Sequence, residues 1–71
     1  MFPITIGTVG QIYKVVKVTG KEDTRRFLAN LGFVADADVS LVSSIGGNVI
    51  VNIKDSRVAV NQDMAKHIMV Q

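Results

Sequence analysis

Residues that could carry catalytic or metal chemistry are scarce in this chain. Histidine occurs once, as His67, and cysteine is absent. A two-histidine, one-carboxylate iron site or a zinc–thiolate site therefore lacks its ligands within one chain. Asp36 and Asp38 are two residues apart, which fits a turn better than a cation site. We predict no metal site and no bound cofactor.

The patterns of the common enzyme classes are also missing. Ser43, Ser44 and Ser56 fall in predicted strands or turns, and none lies in a nucleophile elbow. There is no G-x-x-x-x-G-K-[ST] segment, so the chain has no phosphate-binding loop of its own. We therefore expect no catalytic residue, and a protein that acts by binding and not as an enzyme.

Composition limits the size and setting of the protein. The chain has 71 residues, 48% of them hydrophobic, and a formal net charge of +2. This length predicts one domain, residues 1–71, with a core worth roughly 3–5 kcal/mol of net stability. No signal peptide is seen, and the apolar runs are far shorter than the roughly 20 residues that span a bilayer. We expect a cytoplasmic protein that does not insert into a membrane directly.

One short helix is predicted over residues 21–31. Thr19 and Glu22 have the spacing of a capping box, in which each side chain satisfies a backbone amide of the first turn. Gly32 can take the left-handed conformation that ends a helix. Three large apolar residues would share the buried face of this helix: Phe27, Leu28 and Leu31.

The rest of the chain predicts short strands joined by tight turns. Gly46-Gly47 tolerates the positive φ values of a hairpin, and alternation over 49–54 predicts one buried face. Asp55-Ser56 is a second predicted turn, and Asn61 is a good N-cap for a single helical turn. The predicted strands are 11–18, 39–45, 49–54, 57–60 and 68–70. About five strands of this kind favour a small, mainly β barrel.

A cluster of four cations raises the alternative of nucleic-acid binding: Lys17, Lys21, Arg25 and Arg26. Binding of single strands through a barrel also needs exposed aromatic side chains on which bases stack. The chain has only three phenylalanines, one tyrosine and no tryptophan. We expect a solvated helix face and no nucleic-acid partner, and keep a small nucleic-acid-binding barrel as an alternative.

Several segments, in this order and spacing, resemble the FeoA family, the small cytoplasmic proteins of bacterial ferrous iron transport. They are Leu31-Gly32-Phe33, Val39 to Val42, Gly46 to Val51, Asp55 to Val60 and Met64 to Val70. Ala35-Asp36 stands where the family pattern has Pro-Gly. The resemblance implies an SH3-like barrel with an inserted helix and a helical turn before the last strand.

The resemblance also implies a partner. The family assists FeoB, a membrane iron transporter with a cytosolic nucleotide-hydrolysing domain, and recruitment by FeoB would bring this chain to the inner face of the membrane. We predict partner contacts at Phe33, Val34 and Ile50, apolar residues that the core does not need. Arg57 sits where the family has an arginine, and we include it as a contact or a turn anchor.

Two further alternatives stay open at this stage. Domains similar to FeoA form the C-terminal part of some iron-dependent repressors, so the chain could be a metal-responsive regulatory module. A homo-oligomer is the other, because an exposed strand edge or an apolar patch can pair between chains.

Overall fold

The computed structural model describes residues 1–71. Six strands, two α-helices and one 3-10 turn follow one another along the chain. In order they are β1 (Phe2–Pro3), the 3-10 turn (Ile4–Ile6), β2 (Ile12–Val18), α1 (Glu22–Asn30), β3 (Asp38–Ile45), β4 (Asn48–Ile53), β5 (Ser56–Val60), α2 (Gln62–Ala65) and β6 (Ile68–Val70). The predicted mainly β fold with one inserted helix and a helical turn before the last strand is confirmed.

All strand pairings are antiparallel, and the sheet order is β1-β6-β2-β3-β4-β5. The last strand thus lies between the first two, and the two ends of the chain meet. The register shifts between Val15 and Lys17 in β2, and between Leu41 and Ser43 in β3. Bulges of this kind bend a strand, which lets a short sheet curl around its own core.

The core is entirely apolar, and its members come from every part of the chain. No polar or charged residue is buried. β4 shows the predicted alternation, because Val49, Val51 and Ile53 are buried while the residues between them are exposed. The 13 core residues are Ile4, Val15, Leu28, Phe33, Val39, Leu41, Val49, Val51, Ile53, Val60, Ala65, Ile68 and Val70.

The capping box predicted for Thr19 and Glu22 at the start of α1 is wrong. Lys21 is the N-cap residue, and no side chain caps the first turn. Thr19 instead places its hydroxyl 3.0 Å from Nδ1 of His67, beside β6. The predicted buried face is also narrower than expected: Leu28 is fully buried, but Phe27 is 48% exposed.

The two hairpin turns form as the positive-φ residues allow. Gly46 and Gly47 have φ values of 59° and 86°, as the sequence predicts. The second turn lies one residue earlier than predicted, at Lys54 (φ 48°) and Asp55 (φ 65°). Ser56 consequently belongs to β5, where it pairs with Ile53.

Candidate partner-docking surface

The outward face of β3, β4 and β5 carries a strip of mostly apolar residues at its centre. Beyond the bulge in β3, Ser43 pairs with Ile50, and Ile50 pairs with Ala59 on β5. Directly opposite residues of antiparallel strands share one face, so these three side chains form a row. Ile45 pairs with Asn48 at the end of the same hairpin. It is 75% exposed, the highest value among the large apolar residues.

A shallow groove of about 630 Å³ runs along this strip. We call it the hairpin groove, and none of its lining residues is charged. An apolar floor with polar groups at its rim is the usual chemistry of a binding site for another molecule. The lining residues are Ser43, Ile45, Asn48, Val49, Ile50, Ala59, Val60 and Asn61.

Two asparagines at the rim are held by backbone groups of α2. Oδ1 of Asn61 accepts a hydrogen bond from the Met64 amide at 3.0 Å, which is the N-cap that the sequence predicts. Oδ1 of Asn48 accepts from the Gln62 amide at 2.8 Å. The side-chain Nδ2 groups of Asn48 and Asn61 have no hydrogen-bond partner within the chain, so the rim presents hydrogen-bond donors.

Phe33, one of the predicted partner contacts, is not a surface residue in this structure. Its side chain is only 1% exposed and belongs to the core. The cause is the end of α1. The Gly32 amide donates to Ala29 and the Phe33 amide donates to Leu28, with Gly32 at φ 110°. This is a Schellman motif, in which the residue after the glycine packs back on the last turn of the helix.

The other three predicted residues are accessible, but they do not form one patch. Ile50 is 37% exposed and lines the hairpin groove. Arg57 lies on the same outward face, where its Nε donates to Oδ1 of Asn52 at 3.3 Å. Val34 is 41% exposed, but it does not line the groove. It lies two residues after Gly32, which is close to Ile53 at the opposite end of β4.

Sequence reasoning missed Ile45 and Ala59 as surface groups. The sequence predicts Ile45 only as the last residue of the strand 39–45, directly before the two turn glycines. The consecutive Ser43 and Ser44 were a usable signal, because two polar residues in a row break the alternation of a strand. A bulge just before them, which turns the following side chains to the other face, explains this pattern.

The charged residues are all at the surface and make few ion pairs. Nζ of Lys14 lies 3.0 Å from Oδ1 of Asp38. The guanidinium of Arg26 lies 2.8 Å from Oε1 of Glu22 and 3.9 Å from Oδ1 of Asp23. The remaining six cations have no acidic partner: Lys17, Lys21, Arg25, Lys54, Arg57 and Lys66. No group of three or more His, Cys, Asp or Glu side chains is close enough to hold a metal ion.

A curled antiparallel sheet with a helix inserted between β2 and β3 defines a small SH3-like barrel protein. The model of the FeoA domain matches residues 3–71, and the chain belongs to the FeoA family. This family is related to ferrous iron transport as small accessory proteins and is not a known family of enzymes. A comparison with curated protein sequences finds no match.

Solved structures give the same fold. A crystal structure of the iron uptake regulatory protein FeoA is 23% identical, with a TM-score of 0.87, and the match covers 99% of this chain and 93% of that one. The zinc complex of FeoA from Stenotrophomonas maltophilia is 23% identical, with a TM-score of 0.85 over 100% and 90% of the two chains. That protein is described as a prokaryotic SH3 domain protein.

A repressor shares this fold as well. IdeR from T. acidophilum is 23% identical with a TM-score of 0.85, and the match covers 97% of this chain but 32% of the repressor.

None of the helices of this chain has the length and hydropathy that crossing a membrane requires.

Proposed function

We propose that residues 1–71 act as one FeoA-like domain, a non-enzymatic accessory protein of ferrous iron transport. In this proposal it docks on the cytosolic part of a FeoB-like transporter, works in the cytoplasm, and is brought to the inner face of the membrane by that partner. The observation that carries the proposal is the family match over residues 3–71. The description of the S. maltophilia relative as a candidate activating factor of ferrous iron transport supports the same role.

The hairpin groove is our proposed docking site. The groove is uncharged, and its walls include the exposed Ile45 and Ile50. Binding of an apolar side chain of a partner there is favourable because it removes apolar surface from water. The free amide nitrogens of Asn48 and Asn61 would donate to backbone carbonyls beside that side chain. Arg57, on the same face, would lie at the edge of the contact.

Binding can be tested by titrating the ¹⁵N-labelled chain with the cytosolic domain of the transporter. We expect shift changes at Ile45, Ile50 and Ala59 in at least one nucleotide state of that domain. Ile45→Asp places a charge in the groove, and burying it against a partner is costly. We expect this variant to weaken binding at least tenfold.

Ile12→Asp is the matched control. Ile12 is 69% exposed, against 75% for Ile45, and it lies outside the groove. The same change there should leave binding within about twofold. No shift changes with any nucleotide would contradict the proposal, and equal losses from both variants would place the site elsewhere.

A metal-responsive regulatory module is a second candidate function. The similarity to IdeR and to a manganese-dependent transcriptional repressor, 18% identical with a TM-score of 0.86, favours it. This chain spans about a third of those repressor chains, 32% and 39%. Calorimetric titration with Fe²⁺ separates the candidates. Micromolar binding at a defined stoichiometry would favour the metal-responsive module, and no heat of binding would remove that candidate.

A further inference from the structure

The two edges of the sheet are protected very differently. β1 is two residues long and ends in Pro3, so one edge offers almost no backbone for pairing. β5, at the other edge, has five residues, no proline and no bulge. None of its backbone groups bonds to an element other than β4. An open edge of this kind is a template for one more strand.

The backbone groups that face outward can be identified from the hairpin. A two-residue turn at Lys54 and Asp55 makes Ile53 and Ser56 a hydrogen-bonded pair, and such pairs alternate along antiparallel strands. Val58 and Val60 therefore bond to β4. Arg57 and Ala59 direct their N–H and C=O groups away from the sheet.

We propose that β5 pairs with β5 of a second copy of this chain, antiparallel, about a two-fold axis at Val58. This register places Arg57 opposite Ala59 of the other copy, and every outward backbone group of both strands finds a partner. It also keeps the two arginines apart. The result is one continuous sheet that runs through both copies.

The neighbouring registers are worse on the same grounds. Centring the pair on Arg57 sets two like charges directly opposite each other, which destabilises a strand pair. Centring it on Ala59 places Arg57 opposite Asn61, whose carbonyl already accepts from the amides of Met64 and Ala65. Only the axis at Val58 uses both outward residues without a charge conflict. The inference does not rest on the proposed transporter partner.

The proposed register predicts that two substitutions of the exposed Ala59 change the dissociation constant of the dimer in opposite directions. Ala59→Glu sets a carboxylate opposite Arg57 of the other copy, and Ala59→Lys sets a cation there. Two such pairs form per dimer, so we expect the dissociation constant to fall roughly two- to thirtyfold for the first variant and to rise by a similar factor for the second. Sedimentation equilibrium of the isolated chain, from micromolar to millimolar concentration, measures both.

Spectroscopy locates the contact. We expect the amide shifts of Arg57 and Ala59 to depend on concentration, and a mixture of labelled and unlabelled chains to show a contact between the two Val58 side chains. Ala59→Pro removes an outward N–H that β4 does not use, and should leave a folded monomer. A chain that stays monomeric at millimolar concentration would overturn the inference. Equal effects of Ala59→Glu and Ala59→Lys, or shifts confined to another surface, would overturn it too.

Discussion

Phe33 and Val34 are adjacent apolar residues with opposite surroundings. The backbone reverses at Gly32, so Phe33 packs on the end of α1 and is 1% exposed, while Val34 is 41% exposed. Hydropathy treats the two residues alike, and for that reason the sequence suggested both as partner contacts. The separating information lies in the Leu28-x-x-x-Gly32-Phe33 spacing, because a Schellman motif buries the residue that follows its glycine.

Truncating each of these two side chains should therefore have very different effects. Phe33→Ala is expected to cost about 3–5 kcal/mol, which equals the whole stability expected for a domain of this size. This variant should be unfolded by circular dichroism. Val34→Ala serves as the matched control and should change the free energy of unfolding by less than about 0.5 kcal/mol in urea. A folded Phe33→Ala variant would contradict the core assignment.

At the scale of elements, α2 depends on side chains outside it. A helix of four residues is far too short to be stable alone. Asn61 accepts from the Met64 amide, and Asn48, across the hairpin groove on β4, accepts from the Gln62 amide. The same two residues thus start the helix and shape the rim of the hairpin groove, which couples the shape of the groove to local stability.

Removing the N-cap tests this dependence. Asn61→Ala is expected to lower the free energy of unfolding by about 1 kcal/mol, because the Met64 amide loses its acceptor. Asn52→Ala is the control, since the Asn52 side chain accepts only from the exposed Arg57. It should cost clearly less in the same urea titration. Equal costs for the two variants would mean that the cap bond adds nothing.

Local signals predicted the elements that depend on neighbours in sequence. The Gly46-Gly47 turn, the alternation of β4 and the cap at Asn61 are of this kind, and all three are confirmed. The capping box failed because Thr19 bonds to His67, which lies 48 residues away. β1 went unpredicted for the same reason: its two residues are a strand only because β6 pairs with them.

The candidate site was less predictable than the fold. The sequence predicts Ile50 as an apolar residue that the core does not need, and it lies in the groove. The bulge in β3 and the pairing of β3, β4 and β5 place Ile45 and Ala59 on the same face as Ile50. Such pairings depend on tertiary structure, and periodicity along one strand carries no information about them.

For the whole molecule, the sheet order brings the two ends of the chain together. β6 lies between β1 and β2, and Phe2 pairs with Val70. The Phe2 ring also meets Tyr13 of β2 edge to face, with ring centres 5.4 Å apart. The 3-10 turn that follows β1 buries Ile4 completely. The first residues are therefore part of the barrel, although nothing in their sequence predicted it.

Joining the ends tests this topology directly. Since Phe2 and Val70 are opposite each other, residues 1 and 71 lie where a two-residue Asn-Gly linker can close a β1–β6 hairpin. A cyclic chain of this design loses conformational freedom only in the unfolded state. Loop-entropy reasoning then gives an increase of up to about 4 kcal/mol in the free energy of unfolding. Urea titration should show a higher midpoint than for a linear chain that carries the same two extra residues. An unchanged or lower midpoint would contradict the pairing of β1 with β6.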